Sequence, residues 1–240
     1  MHYAYGRIRR RIRNNMITDF TKQSELIDVN EFKTPIHVIG CGALGSWLTF
    51  FLLKMGFKNV TIYDFDTIEE HNLPNQMFPE TSIGLAKVDA LNMLYNDFFD
   101  EEEKRLKIVN ERMVPAIAKE LEGVVFSCVD SMTVRRVLYE ACVKNGKADL
   151  WIEGRIGLFG AYIYSLNYNT PKMCEAYEQT LYNDEDAEVS ACGVSQTALP
   201  AAVCCASNML MQMISWYRGN NIYNSITFQI PDMLSFSKRW

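Results

Sequence analysis

The chain is short of the residues that most simple metal and nucleophile chemistries require. It has only three histidines, and His2, His37 and His71 stand at no suggestive spacing from a carboxylate or a serine. Its seven cysteines are odd in number, irregularly spaced and partly set in apolar runs such as "GVVFSCVD" and "PAAVCCAS", which argues for reduced thiols and against a disulfide framework. No CxxC pair occurs, so no four-cysteine zinc site is evident. No apolar run reaches the length of a membrane span, and the charged N-terminus is not followed by the apolar stretch of a secretory leader. A soluble, intracellular and cytoplasmic protein is therefore expected, with no membrane contact. No internal repeat or low-complexity segment interrupts it.

Charge is unevenly spread. The first 13 residues contain Arg7, Arg9, Arg10, Arg11 and Arg13 and no acid, and removing these five arginines takes the formal charge from −5 to −10. So acidic a body excludes general nucleic-acid binding, while a basic arm can reach phosphates or an acidic partner; a solvated terminus explains it equally well. The 240 residues, 48% apolar and 22% charged, suffice for one full core.

Hydrophobic patterning predicts alternating elements. "TPIHVIG" reads as a buried strand, "ALGSWLTFFLLKMGF" as an apolar helix, "NVTIYDFD" as a second strand and "IGLAKVDALNMLYNDFF" as a second helix. A third strand lies in "KRLKIVNERM", a short proline-started helix in "VPAIAKELEG" and a fourth strand in "GVVFSCV". The helix of "SMTVRRVLYEACVKNG" follows, with Ser131 as its cap and Gly146 as its stop. Two strands, "DLWIEGRIG" and "FGAYIYSLNY", lead to an acidic crossover loop over about 169–196, a helix near 197–218 and a closing strand in "YNSITFQIP". This order predicts an α/β, Rossmann-like, mostly parallel sheet with helices on both faces and an antiparallel C-terminal extension. Residues 1–33 are expected to form a basic arm and helix, and 34–240 the nucleotide-binding domain.

Chemistry concentrates in three places. Gly40-Cys41-Gly42-Ala43-Leu44-Gly45 joins the first strand to its helix, where glycines allow a tight turn and the helix start offers amides to a phosphate. Asp64, 19 residues beyond Gly45, ends the next strand, where an acid can hold ribose hydroxyls. Then comes "DFDTIEEHNLPNQMF", an unusually polar run carrying Asp66, Asn72, Asn75 and Gln76, followed by Lys87. A nicotinamide-dependent dehydrogenase needs no such run; a triphosphate, with about four negative charges, needs amide and ammonium donors beyond the glycine turn. Asp130, ending the fourth strand at the same edge, suits Mg²⁺.

"GCGALG", the "DFD" strand end, "HNLPNQMF", "IGLAKVDAL" and "SCVDS", in this order, resemble the ubiquitin-activating-enzyme-like adenylyltransferases, the ThiF/MoeB/HesA family. The likeness covers roughly residues 34–165, and the last helix more loosely. It implies a homodimeric, ATP-dependent adenylyltransferase that activates the C-terminal glycine carboxylate of a ubiquitin-like or sulfur-carrier protein. By motif, Asp64 would hold the ribose, Asn72 and Lys87 the phosphates and Asp130 the magnesium ion. Two departures stand out: Asn75, after Pro74, replaces the usual arginine of the "NxxRQ" segment, and no single arginine among Arg7–Arg13 matches the arm that reaches across the dimer. Asparagine keeps a donor but loses the fixed charge and the bidentate fork.

Among the thiols, Cys41, Cys128, Cys142, Cys204 and Cys205 read as core. Cys192, in "EVSACGVSQTALP" before the last helix, lies where the family often places a cysteine that forms a thioester, acyl disulfide or persulfide; a structural thiol is the alternative. Arg155, at a strand end, could meet a substrate anion or pair with the acidic loop. The aromatics of "FGAYIYSLNY" suit a core or dimer face. Rival functions are adenylylation of another peptide or small-molecule carboxylate, an NAD-linked oxidoreductase, and a nucleotide-binding scaffold without chemistry.

Overall fold

A computed structural model describes residues 19–98, 106–167, 169–183 and 196–240. It contains one eight-stranded sheet in the order β3-β2-β1-β4-β5-β6-β7-β8. Strands β1 (Ile36–Ile39), β2 (Val60–Tyr63), β3 (Leu106–Val109), β4 (Glu122–Ser127) and the start of β5 (Lys147–Ile156) run parallel. Beyond them β6 (Gly160–Leu166), β7 (Ser225–Gln229) and β8 (Leu234–Lys238) extend the sheet antiparallel. Because β1 lies between β2 and β4, the chain reverses direction across the sheet there, leaving a crevice at the carboxyl ends of both strands.

The inner strands β1, β2 and β4 are largely apolar because both their faces are covered. Alternation then assigns side chains to two cores. Ile36, Val38, Val124, Phe126, Leu150 and Ile152 face one core, shared with α1 (Ala43–Lys54), α2 (Lys87–Phe98) and α6 (Leu199–Tyr217). Ile39, Val125 and Trp151 face the other, under α4 (Met132–Tyr139) and α5 (Pro171–Glu178), with the single turn α3 (Pro115–Ala118) at its margin. Leu48 and Leu52 of α1 are wholly buried, each worth about 1.5–3 kcal/mol of transfer free energy. Ile27, Val29 and Phe32, preceding β1, pack into the same core as α1. Among the described residues no helix is long and apolar enough to cross a membrane.

Expectation and structure differ in three elements. The acidic crossover contains α5, started by Thr170, whose hydroxyl accepts from Met173 N at 3.3 Å, and by Pro171 in its first turn. Met173, Cys174 and Tyr177 bury its apolar stripe. After β7 comes a further strand, β8, exposed along its whole length. Helix α4 closes in an unexpected π-helical turn at Glu140–Lys144, with the expected stop Gly146 just past its Asn145 cap, where a Cβ would fall 2.3 Å from the Ala141 carbonyl oxygen. The aromatics of β5 and β6 divide: Trp151 and Tyr164 are core, whereas Phe159 and Tyr162 are exposed. The arginine-rich arm and Cys192 lie outside the described residues.

Candidate functional site at the carboxyl edge of the sheet

The turn after β1 has a close-packed floor and an open roof. Gly40 has φ +90°, and a Cβ there would stand 2.9 Å from the carbonyl oxygen of Cys128. A Cβ on Gly45 would fall 1.8 Å from the Gly40 carbonyl oxygen, so only glycine lets α1 start this close to the strand end. Gly42, the cap of α1, would have nothing within 4 Å of its Cβ. Open space thus lies over the first turn of α1, where free amides and the dipole favour an anion. Ala43 begins the helix, and Leu44 turns its side chain into the core.

Asp64 braces this turn. Its Oδ2 accepts from Cys41 N at 2.6 Å and its Oδ1 from Asp66 N at 2.8 Å, so one carboxylate joins the ends of β1 and β2. Each oxygen retains a second lone pair for a ligand hydroxyl. Asp66, half-exposed, anchors Lys87: its backbone carbonyl accepts from Lys87 N at 3.0 Å, and its Oδ2 pairs with Lys87 Nζ at 3.0 Å. Lys87 is therefore a buried ammonium steered by a half-exposed carboxylate, with further N–H groups to offer.

The polar run is held from several sides. Asn72 is buried, and its Oδ1 accepts from Glu69 N at 3.0 Å. Trp47 Nε1 donates to the Asn75 carbonyl at 3.0 Å, and Met77 N donates to Ser46 Oγ at 3.0 Å, fixing the run to α1. Asn75 Nδ2 turns away to Thr197, reaching its Oγ1 at 2.6 Å and its carbonyl at 3.3 Å. The Asn75 Oδ1 and Gln76 Oε1 atoms are buried without a donor. His71 is well exposed, 3.4 Å from Glu69.

Asp130 is exposed just past β4, which is held to β1 by Cys128 N donating to the Ile39 carbonyl at 2.8 Å. Among the described residues no cluster of three metal-ligating side chains exists. The donor set still fits magnesium, which typically takes one or two carboxylates and completes its shell with water and substrate phosphates.

Arg155 reaches the crossover at Thr180 and a carboxylate on its own strand. Its Nε donates to Glu153 on its own strand, and its other nitrogens donate to the Thr180 carbonyl at 2.7 Å and Oγ1 at 3.1 Å. Glu153 is fully buried; it also lies 3.2 Å from Arg135 Nη1 and accepts from the Tyr177 hydroxyl. Burial first, then the Glu153 carboxylate, push the Tyr177 phenol well above its ordinary range, so it stays a proton donor. Sequence reading missed this network, although a glutamate inside "LWIEGRIG" was its visible sign. Burial also pushes the Cys41 thiol far up and those of Cys128 and Cys142 to about 12, so none is a nucleophile near neutral pH.

The chain is similar to known proteins in both sequence and fold. It is 30% identical over 151 residues to the molybdopterin-synthase adenylyltransferase of Salmonella typhimurium, covering 59% of this chain and 57% of that one. It is 24% identical over 166 residues to the adenylyltransferase and sulfurtransferase MOCS3 of Aedes aegypti, covering 62% of this chain but 37% of that protein. The chain thus spans about a third to somewhat over half the length of these relatives. Among solved structures, the E. coli MccB crystallised with ATP superposes with a TM-score of 0.67 at 14% identity, covering 86% of this chain and 64% of that one. PaaA superposes with a TM-score of 0.64 at 17% identity, covering 86% and 73%. The ThiF family profile matches residues 14–239, nearly the whole chain, and the chain belongs to the ThiF family.

Proposed function

We propose that the chain is an ATP-dependent adenylyltransferase acting on the C-terminal glycine carboxylate of a ubiquitin-like or sulfur-carrier protein. The observation that carries this reading is the meeting of four features at one sheet edge: the open turn at Gly42, the Asp64 carboxylate, the Lys87 ammonium and the exposed Asp130. A dehydrogenase would use the first two and leave the others without work. The relatives' names support the acceptor class, since they include "Ubiquitin-like modifier-activating enzyme 5" and "Adenylyltransferase and sulfurtransferase MOCS3".

In this mechanism the turn amides and Lys87 hold the triphosphate, Asp64 orients the ribose, and Asn72 and Gln76 line the approach. Asp130 would hold Mg²⁺, which supplies positive charge to the phosphates when bound. An acceptor carboxylate oxygen attacks the α-phosphorus, the bond from that phosphorus to the β-bridging oxygen breaks, and pyrophosphate leaves with the electron pair. Positioning and electrostatics suffice, with no protein general base. Residues 34–240 form the adenylylation domain in this reading, with 1–33 as arm and 169–196 as crossover; the Cys192 thiolate then attacks the acyl carbonyl, the acyl–phosphate C–O bond breaks, and AMP leaves with the electron pair.

ATP–pyrophosphate exchange in the presence of carrier proteins ending in glycine tests the proposal. Exchange should occur, disappear in Asp130→Ala and survive in Cys192→Ser. Tighter binding of NAD than of MgATP, or exchange retained in Asp130→Ala, would refute the corresponding assignment. A homodimer is also proposed, because the basic first 13 residues and the acidic body are of opposite charge and Phe159, Tyr162, Leu234 and Phe236 are exposed along the antiparallel extension. Light scattering that finds a monomer at working concentration would contradict it.

A further inference from the structure

Asn75 occupies the place where the resemblance led to a phosphate-binding donor, yet its amide is turned the other way. Nδ2 has two hydrogens, and Thr197 offers it two acceptors, Oγ1 at 2.6 Å and the carbonyl at 3.3 Å. Reversing the amide would set Oδ1 against that carbonyl, an acceptor facing an acceptor, so the hydrogen-bond pattern itself selects the orientation. The residue cannot swing freely, because Trp47 Nε1 grips its carbonyl at 3.0 Å and Ser46 Oγ fixes Met77 N two residues on. Thr197 lies two residues before α6, and α6 packs on α1, β5 and β6. A single planar amide therefore spans 122 residues of sequence to join the nucleotide-side run to the start of the C-terminal helix.

We propose that Asn75 is a positioning residue, not a phosphate ligand, and that its bond to Thr197 couples the 69–78 run beside the glycine turn to the entry of α6. Its meaning for catalysis rests on the adenylylation reading, in which the bond ties the run beside the nucleotide turn to the residues just before α6. The bond itself does not depend on that reading. An arginine in this place would carry charge to a triphosphate; an asparagine bonded to Thr197 exchanges that charge for a fixed helix entry.

Hydrogen–deuterium exchange on the full chain, without nucleotide, decides the positioning role. Thr197→Val, which loses the hydroxyl bond and keeps the carbonyl, should speed exchange of amides 201–205 by about fivefold, as expected for one lost neutral hydrogen bond, and Asn75→Ala, which loses both bonds, by at least as much. The double variant should go no further than Asn75→Ala, and Thr197→Ser, which keeps the hydroxyl, should restore the wild-type rate. Calorimetry with MgATP should give affinities within about twofold of wild type for both single variants. An unchanged exchange rate in the single variants would overturn the proposal. So would a tenfold or greater loss of MgATP affinity in Asn75→Ala that Thr197→Val does not share. Should the wild type bind no MgATP, the adenylylation reading fails, while the nucleotide-free exchange still decides what Asn75 does.

Discussion

Gly42 and Gly45 illustrate what single residues do in the turn, since one borders open space and the other is required by the packing of α1. A methyl on Gly45 would sit 1.8 Å from a backbone oxygen that cannot yield, whereas a methyl on Gly42 would meet nothing within 4 Å. Gly45→Ala should therefore push α1 off its strand and cost about 3 kcal/mol or more, lowering Tm by roughly 6–12 °C in a chain of this size. Gly42→Ala should leave Tm within about 2 °C. It should still weaken MgATP at least about tenfold, because the methyl fills the space through which a phosphate reaches the turn amides. Differential scanning calorimetry and nucleotide titration on the two variants check this; a Gly42→Ala protein that binds MgATP like wild type would move the phosphate site elsewhere.

Elements were legible in the sequence in proportion to how much of their stability is local. Strands β1, β2 and β4 announced themselves as largely apolar runs, and α4 by its cap, where Ser131 Oγ accepts from Val134 N at 3.3 Å. Helix α5 hid inside an acidic stretch because only Met173, Cys174 and Tyr177 face the core, although its Thr170-Pro171 start was a readable signal. Strand β8 could not be read: none of its residues is buried, and its register comes from pairing with β7. The site divides in the same way. Gly40, Gly42, Gly45, Asp64 and Lys87 fall at spacings that topology converts directly into proximity. The Asp66–Lys87 pair, the Asn75–Thr197 bond and the Glu153 network are side-chain choices among several partners, made only when distant segments meet.

At the scale of the whole molecule, Glu153 is the point where those segments are joined. One carboxylate on β5 receives Arg135 from α4, Arg155 from its own strand and Tyr177 from α5, while Arg155 continues to Thr180. The cluster lies on the α4 side of the sheet and links the helix that follows Asp130 to the first part of the crossover, at Tyr177 and Thr180. Two buried guanidiniums balance on one carboxylate, so removing the carboxylate leaves more charge unpaired than removing either cation. Glu153→Gln, which keeps the shape, should therefore lose about 3–5 kcal/mol. Attraction alone does not make such a cluster stabilising, because every ion in it was first taken out of water. Replacing the set together, as Arg135→Met, Glu153→Leu, Arg155→Met and Tyr177→Phe, strands no charge and no hydroxyl, and should cost less than Glu153→Gln alone. Urea denaturation of the two proteins makes the comparison. If the fourfold variant is the less stable of the two, the network holds the α4 side of the molecule together by attraction that exceeds its desolvation cost, and the ranking argued here is wrong.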